Sequence, residues 1–134
     1  MDNFLRDLRR FWGFDELRPH QSDVMACIRD GQDSLTVLPT GAGKSLCYQL
    51  PALQTDGFAV VVSPLIALMK EQVDALVRRG IDAATVHGLQ TDSERRAVAE
   101  RRRSGNLKLL YLSPERLLSS KLMHFLGTQR ASYF

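Results

Sequence analysis

Pro39-Thr40-Gly41-Ala42-Gly43-Lys44-Ser45 is the stretch on which the fold turns. The five residues before it, Ser-Leu-Thr-Val-Leu at 34–38, read as a strand, and residues 44–53 begin as a helix. A loop in that setting is built for phosphate. Gly41 and Gly43 let the backbone fold tightly, so that N–H groups from Thr40 through Gly43 converge on phosphate oxygens. The N-terminus of the helix adds its partial positive charge. Lys44 is placed to reach the outer phosphates of a nucleotide, and the Ser45 hydroxyl to meet Mg²⁺.

Outward from the loop, helices alternate with short apolar runs. Pro19 suits the first turn of a helix over residues 19–30, with Gly31 closing it. Phe-Ala-Val-Val-Val at 58–62 has the continuous β-branched character of a strand buried on both faces. Leu65, Leu68, Met69, Val73 and Leu76 then recur at helical spacing, and Gly80 ends that helix. Residues 83–86 form a short strand. Thr91 and Glu94 have the spacing of a capping box for an Arg-rich helix. Residues 108–112 make another strand, Pro114 starts a further helix, and residues 131–134 begin one more strand. This order predicts an α/β fold, a parallel sheet with helices on both faces. Ligands of such sheets bind at the carboxyl ends of the strands, so the residues after each strand are the ones to read.

The whole chain sets bounds on function. At 134 residues it has the length of about one domain. A composition of 44% hydrophobic and 25% charged residues is that of a water-soluble globular protein, and no apolar run is long enough to span a bilayer. The charged, aromatic start reads as an amphipathic helix and not as a signal peptide. Cys27 and Cys47 stand far apart, in no metal-ligand spacing, and read as two buried thiols. Residues 1–77 carry seven Lys or Arg against ten acids, and residues 78–134 carry eleven against five. A basic second half suits a polyanion. Arg95, Arg96, Arg101, Arg102 and Arg103 read equally well as one solvated helix face. His20, His87 and His124 share no ligand spacing and read as surface or hydrogen-bonded structure. Phe11, Trp12 and Phe14 read as helix-to-core packing.

The motifs resemble those of RecQ-type, superfamily 2 helicases. LPTGAGKSLCYQLPAL, from Leu38, resembles motif I, with its loop at 38–45. Leu38 stands where a strict G-x-x-x-x-G-K-[ST] loop has glycine, a departure common among helicases. Leu8, Trp12, Gly13, Leu17, Arg18 and Gln21 match motif 0 at 8–21; VVVSPLIALMKEQVDAL matches motif Ia at 60–76; LLYLSPERL matches motif Ib at 109–117. The resemblance implies that Gln21 selects adenine with Arg18 beside it. It also implies that Ser63-Pro64-Leu65 and Ser113-Pro114-Glu115 hold the DNA backbone. Read alone, Gln21 is a surface helix residue, and a Ser-Pro-x-x turn is as readily a simple N-cap. DEAD-box RNA helicases are disfavoured, because their motif Ia runs PTREL where this chain has SPLIALMKEQ.

The resemblance further implies the N-terminal portion (1–134) of an ATP-dependent DNA helicase, with an α/β fold of the P-loop NTPase type, a RecA-like parallel sheet with helices on both faces, incomplete at the C-terminus. Such an enzyme moves 3′ to 5′, takes part in recombination and repair, uses ATP and Mg²⁺, and acts on single-stranded or partly duplex DNA. Lys44 and Ser45 would be its catalytic residues here, with Ser45 on the metal. A second RecA-like lobe, a zinc-binding module and a winged helix belong to the same family pattern. No Asp-Glu-x-His string, which would hold Mg²⁺ and activate water, stands within the 134 residues. The chain alone is therefore expected not to hydrolyse ATP. The alternative is a truncated, non-catalytic nucleotide- or DNA-binding module. No membrane association is expected, and the location implied is cytoplasmic and nucleoid-associated, or nuclear in a eukaryote.

Overall fold

The computed structural model describes residues 2–119 and 131–134. They divide into two compact units, residues 1–55 with Tyr133, and residues 56–132 with Phe134.

In the first unit, helix α1 (Asp2–Asp7) runs into a wider π-helical stretch, Leu8–Trp12. Gly13 stops it at φ 73°, its N–H on the Arg9 carbonyl at 3.1 Å, a left-handed position that suits glycine. Helix α2 (Pro19–Arg29) begins with proline at its first turn, as its sequence predicts. Helix α3 (Lys44–Ala52) follows the phosphate loop. Leu8, Met25, Leu46 and Leu50 form the buried centre, with Phe4, Leu5, Trp12, Leu17 and Leu53 packed around them. Trp12 is thus a core residue, as expected; Phe14 is exposed instead. Buried Asp7 is met by Arg6 at 3.3 Å and by the Gln54 amide, so its carboxylate is not left unpaired. The Tyr133 hydroxyl donates to the Tyr48 carbonyl, and burial pushes its pKa well above the usual phenol range.

The second unit holds a parallel three-stranded sheet in the order β1-β3-β2. Its strands are β1 (Ala59–Val62), β2 (Ala83–Val86) and β3 (Leu109–Leu112). Helix α4 (Ile66–Arg78) joins β1 to β2, and α5 (Asp92–Arg103) joins β2 to β3. The central strand is buried at all four residues, which is why it reads Leu-Leu-Tyr-Leu. Leu110 sits beside Val60 on one side and Ala84 on the other. With Leu112 and Phe58 they form a core that Val98 of α5 also covers. On the alternate residues, the one polar group of β3 is satisfied: the Tyr111 hydroxyl donates to Oε1 of Gln72 on α4 at 3.0 Å. Helices therefore cover both faces of the sheet, as the strand–helix alternation predicts. The capping box of α5 is formed in full, with Glu94 N–H on Thr91 Oγ1 at 3.2 Å and Thr91 N–H on Glu94 Oε2 at 3.4 Å.

Several expectations need correction. Residues 34–38 form no strand, and Leu35 and Val37 are 93% and 85% exposed. Alternating apolar residues hold a strand only where a ladder neighbour satisfies the backbone, and none of β1–β3 pairs with them. Residues 131–134 give one isolated bridge, at Tyr133, and Ser132 N–H reaches the Phe58 carbonyl at 2.8 Å. Cys47 is buried but Cys27 is only half-buried. The Arg-rich helix is not one solvated face. Arg102 is buried; Arg101 meets Asp82 and the Ala83 carbonyl; Arg95 holds the Gln90 carbonyl at 2.8 Å. Burial, then repulsion from Arg103, lowers the Arg102 pKa from its usual value.

Candidate functional site

The phosphate loop has the backbone its sequence requires. Gly41 and Gly43 both lie in the left-handed region, at φ 82° and 81°, and Gly43 is the residue that caps α3. Ala42, between them, departs from the expected convergence on phosphate, because its N–H turns back onto the Pro39 carbonyl at 3.2 Å. Lys44, the first residue of α3, is exposed, and Ser45 follows it half-buried. Left-handed glycines on alternate residues, a helix N-terminus and an exposed lysine are the donor set that a nucleotide's phosphates need. The residues present therefore fit a phosphate-bearing ligand. When Mg²⁺ and nucleotide are bound, Ser45 and Lys44 would hold them.

The start of α2 lies against this loop through three side chains. Arg18 Nη1 donates to the Gly41 carbonyl at 3.0 Å. His20 Nε2 lies 2.8 Å from the Ala42 carbonyl. Gln21 Nε2 donates to the Gly43 carbonyl at 3.2 Å, while its Oε1 accepts from the Arg18 N–H at 2.9 Å. Sequence brought Arg18 and Gln21 to this neighbourhood by resemblance, and the structure puts both on the loop. Gln21, at 4% exposure, is buried, unlike the average helix glutamine. His20 is hydrogen-bonded, one of the two readings its sequence allows, but its place on the loop is not legible there. No spacing in the sequence pointed to it.

Behind the loop, the Cys47 thiol lies 3.6 Å from the same Gly43 carbonyl, and burial raises its pKa above the ordinary thiol value. A neutral, poorly accessible thiol is packing, not a nucleophile. His87 is likewise structural, its Nδ1 accepting from the Leu89 N–H at 3.2 Å. His124 lies outside the described residues.

In the second unit, the turns after all three strands meet. A cleft of about 440 Å³ is lined by Pro64 and Ile66 after β1, Gly88 and Leu89 after β2, and Ser113, Glu115, Arg116 and Ser119 after β3. Both Ser-Pro turns singled out in the sequence are here, at the carboxyl ends of parallel strands. They differ in detail. Ser63 Oγ accepts from the Leu65 N–H at 3.2 Å, leaving Leu65 exposed beside the cleft as the residue that caps α4. Ser113 is buried at the start of α6 (Pro114–Leu117), and its hydroxyl makes no cap there. Ser113 thus occupies the N-cap position without a side-chain cap, whereas the N-cap of α4 falls two residues after Ser63, on Leu65.

A family model for the DEAD/DEAH box helicase matches residues 18–133. The chain is 49% identical over 119 residues to an ATP-dependent DNA helicase RecQ of Synechocystis sp. PCC 6803, covering 89% of this chain and 25% of that protein. It is 42% identical to an ATP-dependent DNA helicase RecQ of Pasteurella multocida, covering 94% of this chain and 20% of the relative. Among solved structures, it resembles the DUF1998 helicase MrfA bound to DNA at a TM-score of 0.74 and 26% identity, covering 93% of this chain and 18% of that one. The chain belongs to the DEAD/DEAH box helicase family. Within that family its likeness is to the RecQ-type members, of which it spans a quarter or less of the length.

Proposed function

We propose that the chain is part of the first motor domain of a RecQ-type, ATP-dependent DNA helicase, and that its loop at 39–45 binds adenine nucleotide with Mg²⁺. The observation that carries this is the pair of left-handed glycines, Gly41 and Gly43, set directly before an exposed Lys44 at the start of α3. Lys44 neutralises phosphate, Ser45 meets the metal, and Gln21 with Arg18 lies where the base is read. Single-stranded or partly duplex DNA is the second partner, held at the Ser63-Pro64-Leu65 and Ser113-Pro114-Glu115 turns. The similarity to a helicase solved bound to DNA supports it. A 3′ to 5′ motor with a second lobe, acting in recombination and repair on nucleoid or nuclear DNA, is the activity the RecQ likeness favours for the whole protein.

The 134 residues by themselves bind without turnover, because no Asp-Glu-x-His pair is present to hold Mg²⁺ and orient water. Calorimetric titration with ATP and Mg²⁺ tests the reading. Replacing Lys44 by Ala removes a charge-assisted contact of about 1.5–3 kcal/mol, tenfold or more in affinity. Equal affinity in the two proteins would overturn it. DNA-stimulated ATPase activity that Lys44→Ala abolishes would overturn only the claim of no turnover.

A further inference from the structure

We propose that His20 is a positioning residue of the phosphate loop, holding the Ala42–Gly43 peptide plane so that the Gly43 N–H faces the phosphates. The inference rests on the nucleotide-binding reading of residues 39–45. In a trans peptide the carbonyl and the N–H point in opposite directions. A side chain that grips a carbonyl from one side therefore aims the next residue's N–H to the other. The start of α2 does this to three successive planes: Arg18 takes the Gly41 carbonyl, His20 the Ala42 carbonyl and Gln21 the Gly43 carbonyl. The N–H groups so aimed belong to Ala42, Gly43 and Lys44. That of Ala42 is spent on Pro39, so the planes held by His20 and Gln21 orient the donors of Gly43 and Lys44.

His20 differs from its neighbours in having one task. Gln21 and Arg18 are also the residues assigned to the base. The Gln21 amide already serves Gly43 and Arg18, one partner at each end, so reading adenine makes it share or exchange those bonds. The His20 bond competes with nothing the nucleotide needs, so it keeps the loop in shape whether Gln21 shares or exchanges its partners. A carbonyl accepts only, so Nε2 must carry the hydrogen. His20 is half-buried on the first turn of α2, where its neighbour Pro19 fixes the local backbone and Gln21 is buried, leaving the ring a short, defined reach to the loop.

Two measurements on the full 134-residue chain test this. Nitrogen-15 spectra of the histidine rings read the tautomer in the unmodified protein: a hydrogen on Nε2 of His20 is expected, and a ring protonated on Nδ1 alone overturns the proposal without any variant. Affinities for ATP, GTP and inorganic pyrophosphate, each with Mg²⁺, are then compared in His20→Phe, which keeps a ring and loses the donor, and His20→Gln, which restores a donor at similar reach. Losing one hydrogen bond is expected to weaken all three ligands by a common factor of about three to ten, with the ATP/GTP ratio unchanged and His20→Gln close to wild type. Pyrophosphate binding unchanged in His20→Phe, alongside a clear loss in Lys44→Ala, overturns the role of His20 and leaves the nucleotide site standing. No loss in Lys44→Ala removes both.

Discussion

Gln21 Nε2 lies 3.2 Å from the Gly43 carbonyl, and a Cβ built on Gly43 would lie 2.3 Å from that same nitrogen. Glycine at 43 is thus required twice, by its left-handed φ and by the amide that rests on it. Gly43→Ala is expected to cost about 1–2 kcal/mol from the backbone alone. It also expels the Gln21 amide from its place. The melting temperature should fall by several degrees, and nucleotide affinity should fall with it. Adding Gln21→Ala to Gly43→Ala relieves the contact but not the φ. The double variant should therefore melt above the sum of the two single losses. Strict additivity in thermal melts would show that the two residues do not touch.

Gln21 also sets the expectation for base choice. Adenine offers a donor and an acceptor to a carboxamide, where guanine offers O6 in place of the amino group. Gln21→Ala should narrow the ATP/GTP affinity ratio while leaving pyrophosphate affinity nearly intact. A ratio near one in the unmodified chain removes Gln21 as a reader.

The phosphate loop was legible in the sequence because its chemistry is local: two glycines, a lysine and a serine act over seven residues. The three strands of the sheet were legible for the same reason, since β3 must be apolar throughout to lie between β1 and β2. Residues 34–38 misled because their Ser-Leu-Thr-Val-Leu pattern states a preference, and the ladder that would satisfy it is a long-range matter. His20 was invisible because its partner is a backbone carbonyl 22 residues away, and backbone carbonyls leave no mark in a sequence. Arg102 and Arg101 misled in the opposite direction: five arginines on one helix suggest solvent, yet Arg102 is buried and exposed Arg101 is held by Asp82 and the Ala83 carbonyl.

Thiol reactivity separates the two cysteines. Burial raises the Cys47 pKa, so the reactive thiolate is scarcer at any given pH than for an ordinary thiol. Iodoacetamide at mildly alkaline pH should modify half-buried Cys27 well before Cys47, and raising the pH should narrow the difference. Mass spectrometry of peptides sampled over time reads the order. Cys47 reacting first would mean that α3 does not pack as described.

The capping box on α5 gives a stability test confined to the second unit. Thr91→Ala removes the side-chain acceptor for the Glu94 N–H and should cost about 1 kcal/mol. Thr91→Ser keeps the hydroxyl and should cost far less. Chemical denaturation distinguishes them, and equal losses would show that the Thr91 methyl group, not its oxygen, matters.

Glu115 and Arg116 bring opposite charges to the cleft where the three strand-end turns meet. If DNA backbone lies in that cleft, Arg116 neutralises a phosphate and Glu115 opposes one. Its carboxylate can help only by giving way, since an ionised acid accepts hydrogen bonds and donates none. Arg116→Ala should therefore weaken single-stranded DNA binding uniformly across sequences and flatten its salt dependence by roughly 0.7 in the slope of log K against log salt. Glu115→Gln should do the reverse to affinity, strengthening it most at low salt, where exposed charges are least screened. Fluorescence anisotropy with two single-stranded oligonucleotides of unrelated sequence, titrated from low to physiological salt, reads both effects. The pair is more informative than either variant alone. A strand bound elsewhere on the basic second half of the chain would feel both substitutions only through net charge. It would then shift with them by small and similar amounts in opposite directions, without the change of slope that loss of a direct phosphate contact produces. An unchanged slope in Arg116→Ala, or weaker binding in Glu115→Gln, would take the strand out of this cleft.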